Sequence, residues 1–210
     1  FLNAFSVDAQ NFERISNKEG FNQNTINYIE QDQYGFFWFG TPNGLIKFDG
    51  YEFKTINTQS KTNGNISSNY ISKLYNDKNG ILWIGTNLGV NLYIHSIEKF
   101  ITLPLPEKFT INKISKDKLG NIWISGENQL FVCKIVNLEK EIYKIYKNLI
   151  NNNLKDVVIS DFSFKDEFNL ILVTDLGIKQ VELKKIKTSS FPEISSITDF
   201  KLFKNNIKNR

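Results

Sequence analysis

The stretch Asn79-Gly80-Ile81-Leu82-Trp83-Ile84-Gly85-Thr86-Asn87-Leu88-Gly89 decides how the chain is read, because it returns along the sequence. An earlier copy, Tyr34-Gly35-Phe36-Phe37-Trp38-Phe39-Gly40-Thr41-Pro42-Asn43-Gly44, keeps every glycine, the tryptophan and the threonine in register. A third copy, Leu119-Gly120-Asn121-Ile122-Trp123-Ile124-Ser125-Gly126, keeps the first glycine and the tryptophan. In a fourth, Asn169-Leu170-Ile171-Leu172-Val173-Thr174-Asp175-Leu176-Gly177, Leu172 is read in the tryptophan's place, with one residue fewer before the glycine. Tandem self-similarity has to be settled before any residue is assigned chemistry.

Working outward from Trp38, Thr25 to Glu30 alternates apolar and polar residues and reads as a strand with one buried face. Asp32 to Gly35 is a reversal, since Asp bonds its own backbone two residues on and Gly supplies positive φ. Phe36 to Thr41 is apolar on both sides. Pro42-Asn43-Gly44 turns the chain into Leu45 to Phe48, and Asp49-Gly50 turns it into Tyr51 to Ile56. The second unit repeats this as Asn69 to Leu74, Ile81 to Thr86, Val90 to Ile94 and Lys99 to Leu103, stopped by Pro104 and Pro106. The third unit reads Ile111 to Ile114, Asn121 to Ser125, Leu130 to Ile135 and Ile142 to Tyr146. The fourth reads Val157 to Phe164, Asn169 to Thr174 and Ile178 to Leu183.

Trp38, Trp83, Trp123 and Leu172 are separated by 45, 40 and 49 positions, a spacing within or close to that of propeller blades. Stacking such blades radially buries both faces of each sheet, which explains second strands that are apolar on both sides. The expected fold is therefore all-β, a partial β-propeller of about four blades of four antiparallel strands, truncated from a larger one. The expected division is 1–19 as a strand completing a last blade (Phe12 to Ile15), then 20–57, 58–104, 105–147 and 148–188 as blades 1 to 4. Residues 189–210, with Ile194 to Phe200, read as the start of a fifth.

Composition agrees with strand: of 210 residues, 18 are Phe, 8 Tyr and 3 Trp, with no Met. A net charge of +4 is too small to argue for nucleic acid. Eight Lys/Arg from Lys179 to Arg210, against Glu182, Glu193 and Asp199, read as a solvated surface. Cys133 is the single cysteine, which excludes an internal disulfide and a cysteine-rich metal site, and its flanks Phe131, Val132 and Ile135 make it a buried strand residue. His95 is the single histidine, which excludes a histidine-rich zinc site, and at a strand end it reads as a surface residue. There is no phosphate-loop pattern and no Gly-x-Ser-x-Gly elbow. The expectation is no catalysis, no cofactor and no metal. No apolar run approaches the roughly 18 residues of a membrane span. With no Met anywhere, the natural N-terminus and any signal peptide are expected upstream of Phe1.

Gly20-Phe21-Asn22-Gln23-Asn24 before an Ile-x-x-Ile strand, then Asp-x-x-Gly, Trp-x-Gly-Thr-x-x-Gly and Phe48-Asp49-Gly50-Tyr51, carry a resemblance. On them the chain resembles the two-component regulator propeller repeats in the extracytoplasmic sensor portion of hybrid histidine kinases. The resemblance runs best from Phe12 to about Leu103 and fades beyond Ile135. It implies the N-terminal part of a first propeller, periplasmic and belonging to an inner-membrane protein. A second propeller, a small β-sandwich, a transmembrane helix and a kinase output would follow. It further implies detection of a glycan or other small nutrient, with the later domains or a second copy as partners. No nucleic acid is implied, and membrane contact comes only through segments outside this chain.

Trp38, Trp83 and Trp123 sit mid-strand between turns and are read as inter-blade packing, with Gly35, Gly80 and Gly120 as turn glycines. Thr41 and Thr86 are expected to bond turn backbone. Asp32, Asp77 and Asp117, each six residues before a Trp, are expected to form turns. A ligand site belongs where loops of successive blades converge. That face is expected to carry Asn22, Asn24, Asn43, Asn69, Tyr70, Asn87, Glu127, Asn128 and Asp175, whose amides, acids and aromatic ring suit sugar hydroxyls. The alternatives are ordinary polar turn residues, a protein-interaction propeller, or an enzyme such as a propeller lyase, which would need an acid or histidine constellation that the sequence lacks.

Overall fold

Four sheets, each a meander of four antiparallel strands in sequence order, make up the computed structural model, which describes residues 21–105, 108–137, 142–146, 157–184 and 194–199. Blade 1 comprises β1 (Tyr28–Gln31), β2 (Phe37–Thr41), β3 (Gly44–Phe48) and β4 (Phe53–Ile56). Blade 2 comprises β5 (Ile71–Asn76), β6 (Ile81–Thr86), β7 (Gly89–Ile94) and β8 (Lys99–Thr102), with a single 3-10 turn at His95–Ile97 between its last two strands. Blade 3 is β9 (Lys113–Lys116), β10 (Ile122–Gly126), β11 (Gln129–Asn137) and β12 (Ile142–Tyr146). Blade 4 is β13 (Ile159–Phe164), β14 (Asn169–Thr174), β15 (Gly177–Leu183) and β16 (Ile194–Asp199). The first strands meet in series, β1 on β5, β5 on β9 and β9 on β13, so they lie innermost and the blades stack around them. The all-β propeller arrangement expected from the repeat is the one found.

Side chains alternate across a strand, and this alternation builds three seams. Trp38 faces blade 2, where it is buried with Leu45, Ile56, Leu74, Leu82 and Ile84. Trp83 faces blade 3 with Leu92, Ile111, Ile122 and Ile124. Trp123 faces blade 4 with Val132, Ile159, Phe162 and Leu172. All three indoles are fully buried. Each Trp points to the following blade, and in blades 2 and 3 its strand neighbours Leu82, Ile84, Ile122 and Ile124 point to the preceding one, so the second strand there has no polar face.

Close approach across the seam needs the glycine two residues after Trp. A Cβ on Gly40 would lie 2.8 Å from Cγ2 of Ile71, and one on Gly85 2.8 Å from Cγ2 of Ile111. Gly35 and Gly80, by contrast, adopt a φ of 89° and Gly120 a φ of 85°, the turn role expected of them. Polar latches recur beside each seam: Asn27 Nδ2 donates to Ile71 O (2.8 Å), Ser72 Oγ to Ile111 O (2.7 Å) and Asn112 Nδ2 to Ile159 O (2.8 Å).

The linker from β4 to β5 runs as a strap along the outer strand β8. Phe100 N donates to Asn63 O at 2.7 Å, and Ile66 is buried in the first seam. Buried Asn91 holds the strap, its Oδ1 accepting from Ser67 N (3.0 Å) and Ser67 Oγ (2.7 Å) and its Nδ2 donating to Thr102 Oγ1 (2.8 Å). The strap also covers a strand edge that would otherwise be open.

Two expectations are corrected. Leu172 does not replace the tryptophan: Thr174 pairs with Gly177 as Thr86 does with Gly89, which puts Ile171 in the tryptophan's register and turns Leu172 toward blade 3. Ile194 to Asp199 does not begin a fifth blade but pairs with β15 as the fourth strand of blade 4, with Ile194 and Ile197 packed on its core. The first strands also start later than expected, at Tyr28, Ile71, Lys113 and Ile159. Two of the residues at these entries bond the preceding blade, Ile111 N to Thr86 O and Ile159 N to Glu127 O. The strand expected at Phe12 to Ile15 lies outside the described residues.

Gly85→Ala should therefore destabilise the chain by about 1–3 kcal/mol through overpacking against Ile111. Urea unfolding checks this, and an unchanged midpoint would mean that Ile111 can withdraw.

Candidate functional site

The recurring acids of the repeat are consumed by the repeat's own architecture. Asp32 Oδ1 accepts from Tyr34 N (2.9 Å) and Phe36 N (3.1 Å), while Oδ2 accepts from Trp38 Nε1 (2.7 Å). Asp117 does the same for Leu119 N (2.9 Å), Asn121 N (2.8 Å) and Trp123 Nε1 (2.9 Å). Asp77 clamps Asn79 N (2.7 Å) and Ile81 N (3.2 Å), but the Trp83 indole finds no acceptor among the described residues. The threonines cap the next turn as expected: Thr41 Oγ1 donates to Gly44 O (2.8 Å) and Thr86 Oγ1 to Gly89 O (2.9 Å), and Thr174 repeats this with Gly177 O (2.6 Å). The Asp-to-indole bond was missed by sequence reasoning, although the fixed six-residue offset was its signal.

The nine residues expected to bind ligand all lie at the strand ends that carry the β2–β3 type of loop, and all are exposed. Several are tied into splices between neighbouring segments. Asn43 Nδ2 donates to Gln23 Oε1 (3.1 Å), Asn69 Oδ1 accepts from Thr58 N (2.8 Å), and Asp175 Oδ1 accepts from Val158 N (3.0 Å). Glu127 Oε1 accepts from Thr110 N at 3.5 Å, and Asn128 Oδ1 accepts from Gln129 Nε2 at 3.2 Å. Asn22, Asn24 and Asn87 have side chains with no hydrogen bond among the described residues, and Tyr70 is 42% exposed. They form a polar rim across four blades, and no hydrogen bond joins the nine residues of one blade to those of another among the described residues.

Among the described residues, three concavities lie elsewhere. One of about 350 Å³ opens between the outer parts of blades 1 and 2 and is lined by Trp38, Lys47, Lys54, Lys61, Tyr93 and Glu98, among others. A hollow of about 250 Å³ shares Lys47, Tyr93 and Glu98 with it and adds Tyr34, Phe36 and His95. A third, about 130 Å³, sits beside the inner strands, where Lys113 pairs with Asp161 at 2.8 Å.

His95 corrects the expectation of a surface residue, since its side chain is only 6% exposed. The 3-10 turn folds its ring under blade 1, with Nε2 3.3 Å from Asp32 Oδ2 but off line for a hydrogen bond. Tyr34 and Tyr93 flank it, each with ring centroids 4.8 Å away. Burial pushes the imidazole below its ordinary 6.5; the Asp32 carboxylate opposes this, and the Lys47 ammonium adds to it. Burial, then Glu98 and Asp32, pushes the Tyr93 hydroxyl up to about 12. Burial likewise pushes the Cys133 thiol up to about 12, which marks a packing residue. Among the described residues, no group of three or more His, Cys, Asp or Glu side chains is placed to hold a metal ion. None of the described helices is long and apolar enough to cross a membrane.

Comparison with known proteins adds the following. Residues 20–43 and 65–88 match the family model of the two component regulator propeller, so the first two blades each carry one such repeat. Over 68 residues the chain is 38% identical to histidine kinase P4 of Formosa agariphila, which covers 30% of this chain and 5% of that protein. The structure is similar to the extracellular domain of a hybrid two component system of B. thetaiotaomicron, with a TM-score of 0.70 at 20% identity over 90% of this chain and 26% of the other. It is also similar to the extracellular domain of a one component system of the same organism, with a TM-score of 0.58 at 22% identity over 78% of this chain and 22% of the other. The chain thus spans a twentieth of the curated relative and about a quarter of these ectodomains.

The buried imidazole makes stability pH-dependent in a definite sense. Its folded pKa lies below its unfolded one, so its contribution is complete above 6.5 and is lost as pH falls below that value. Melting temperatures measured from neutral to mildly acidic pH should fall more steeply for the parent chain than for His95→Gln; parallel curves would contradict the assignment.

Proposed function

We propose that this chain is a sensing part of a two-component receptor of the hybrid histidine kinase type, working in the periplasm as part of an inner-membrane protein. The observation that carries the proposal is the tandem match of blades 1 and 2 to the two component regulator propeller, in register with the structural repeat. The likeness to extracellular domains supports the location. In this reading the propeller is a rigid, non-catalytic platform. It recognises a glycan or other small nutrient on the polar rim, with Asn22, Asn24 and Asn87 offering amides that are unpaired among the described residues and Tyr70 a partly exposed ring. Occupancy would be passed on by altered packing against later domains of the same protein.

A second reading, a protein-interaction scaffold, is favoured by apolar side chains left open on blade 1. Ile29 is 52% exposed and Phe37 39% exposed on the same sheet. Calorimetric titration of a panel of oligosaccharides into the chain separates the two. The sensing reading expects saturable binding that Tyr70→Ala weakens about tenfold. Absence of binding by every oligosaccharide, with stable association to a purified later domain of the receptor, would favour the scaffold.

A further inference from the structure

The repeat itself identifies where blade 1 departs from blades 2 and 3, whose Trp row faces a following blade as that of blade 1 does; in blade 4 the corresponding row reads Ile171, Gln180 and Thr198. Across each sheet the Trp row continues onto the third and fourth strands. In blade 2 it reads Trp83, Leu92, Ile101, with exposures of 0%, 0% and 7%, and these side chains fill the seam with blade 3. In blade 3 the residue opposite Trp123 is Val132, also fully buried. In blade 1 the same row reads Trp38, Lys47, Lys54. Two lysines are thus direct cross-strand partners, a like-charge pairing that is disfavoured, where blade 2 has aliphatic residues that close the seam. The 350 Å³ concavity is the space they leave.

Lys61 reaches the same concavity from the strap, and Glu98 is the one carboxylate in its lining. Lys47 is partly buried with Nζ 3.7 Å from the centre of the Phe36 ring, so its ammonium is positioned by the sheet. Three cations and one anion around a space of ligand size make a local positive field. We propose that this inter-blade cleft binds a small hydroxylated organic anion. Lys47, Lys54 and Lys61 hold its carboxylate, sulfate or phosphate group, and Glu98 on the opposite wall accepts from its hydroxyl groups. The site lies away from the polar rim and stands whether or not the chain is a sensor.

The test is titration of inorganic sulfate, and separately of gluconate, into the chain at constant ionic strength, with chloride as control. The readout is the NMR shifts of the lysine ε-methylene groups. Two variants accompany it: Lys61→Gln, and the double change Lys47→Leu with Lys54→Ile, which copies the corresponding residues of blade 2. The expected result is saturable shifts that chloride does not reproduce, an affinity about tenfold or more weaker in Lys61→Gln, and no saturation in the double variant. The double variant should also melt at or above the parent temperature, because it fills the seam. Shifts that chloride reproduces, or saturation that survives in the folded double variant, would overturn the proposal. Were the double variant not to fold, unchanged affinity in Lys61→Gln would overturn it alone.

Discussion

The structure depends on one constraint: no blade can bury its own second strand, so each of blades 1 to 3 hands its tryptophan to the next. Trp38, Trp83 and Trp123 fill three successive seams, and the glycine two residues later in blades 1 and 2 lets an isoleucine of the following blade come down onto bare backbone. Remove either partner and two sheets lose a common core. The aspartate six residues upstream then ties the turn to the indole in blades 1 and 3, so that turn, strand and seam form one unit. Burial of a fused aromatic ring, with its N–H satisfied, suits a position that must be both apolar and oriented.

That constraint separates architecture from function. Residues that recur from blade to blade serve the seams and turns, and residues that break the pattern need another account. The seam between blades 2 and 3 is filled by aliphatic and aromatic side chains around Trp83. The seam between blades 1 and 2 admits Lys47, the Asp32 carboxylate and the His95 ring, and it opens into the 350 Å³ concavity. Blade 1 gives up aliphatic packing there, and charged groups at a half-closed interface are the kind of local inconsistency that binding sites carry.

Much of this was legible in the sequence because periodicity two and turn chemistry are strong signals. β6 (Ile81–Thr86), β12 (Ile142–Tyr146) and β14 (Asn169–Thr174) have the expected bounds. The errors have physical causes. Leu172 was aligned on hydrophobicity, whereas register is fixed by the Thr174 to Gly177 turn bond, and a slip of one residue exchanges the faces of a strand. Ile194 and Ile197 have the spacing of an opening strand, but an outer strand with one buried face shows the same alternation. His95 and Lys47 were invisible as a pair because they lie on different blades, and only the fold brings them to one hollow. The exposure of the nine rim residues was legible from residue type; their tethering to neighbouring segments was not.

The central claim is that the repeated tryptophan is a seam residue whose loss is felt by two blades at once. The direct measurement is urea unfolding of Trp83→Ala beside the parent chain, followed by far-ultraviolet circular dichroism. A loss of roughly 3–5 kcal/mol with native strand content retained before the transition is the predicted result. An unfolding midpoint indistinguishable from that of the parent chain would contradict the account.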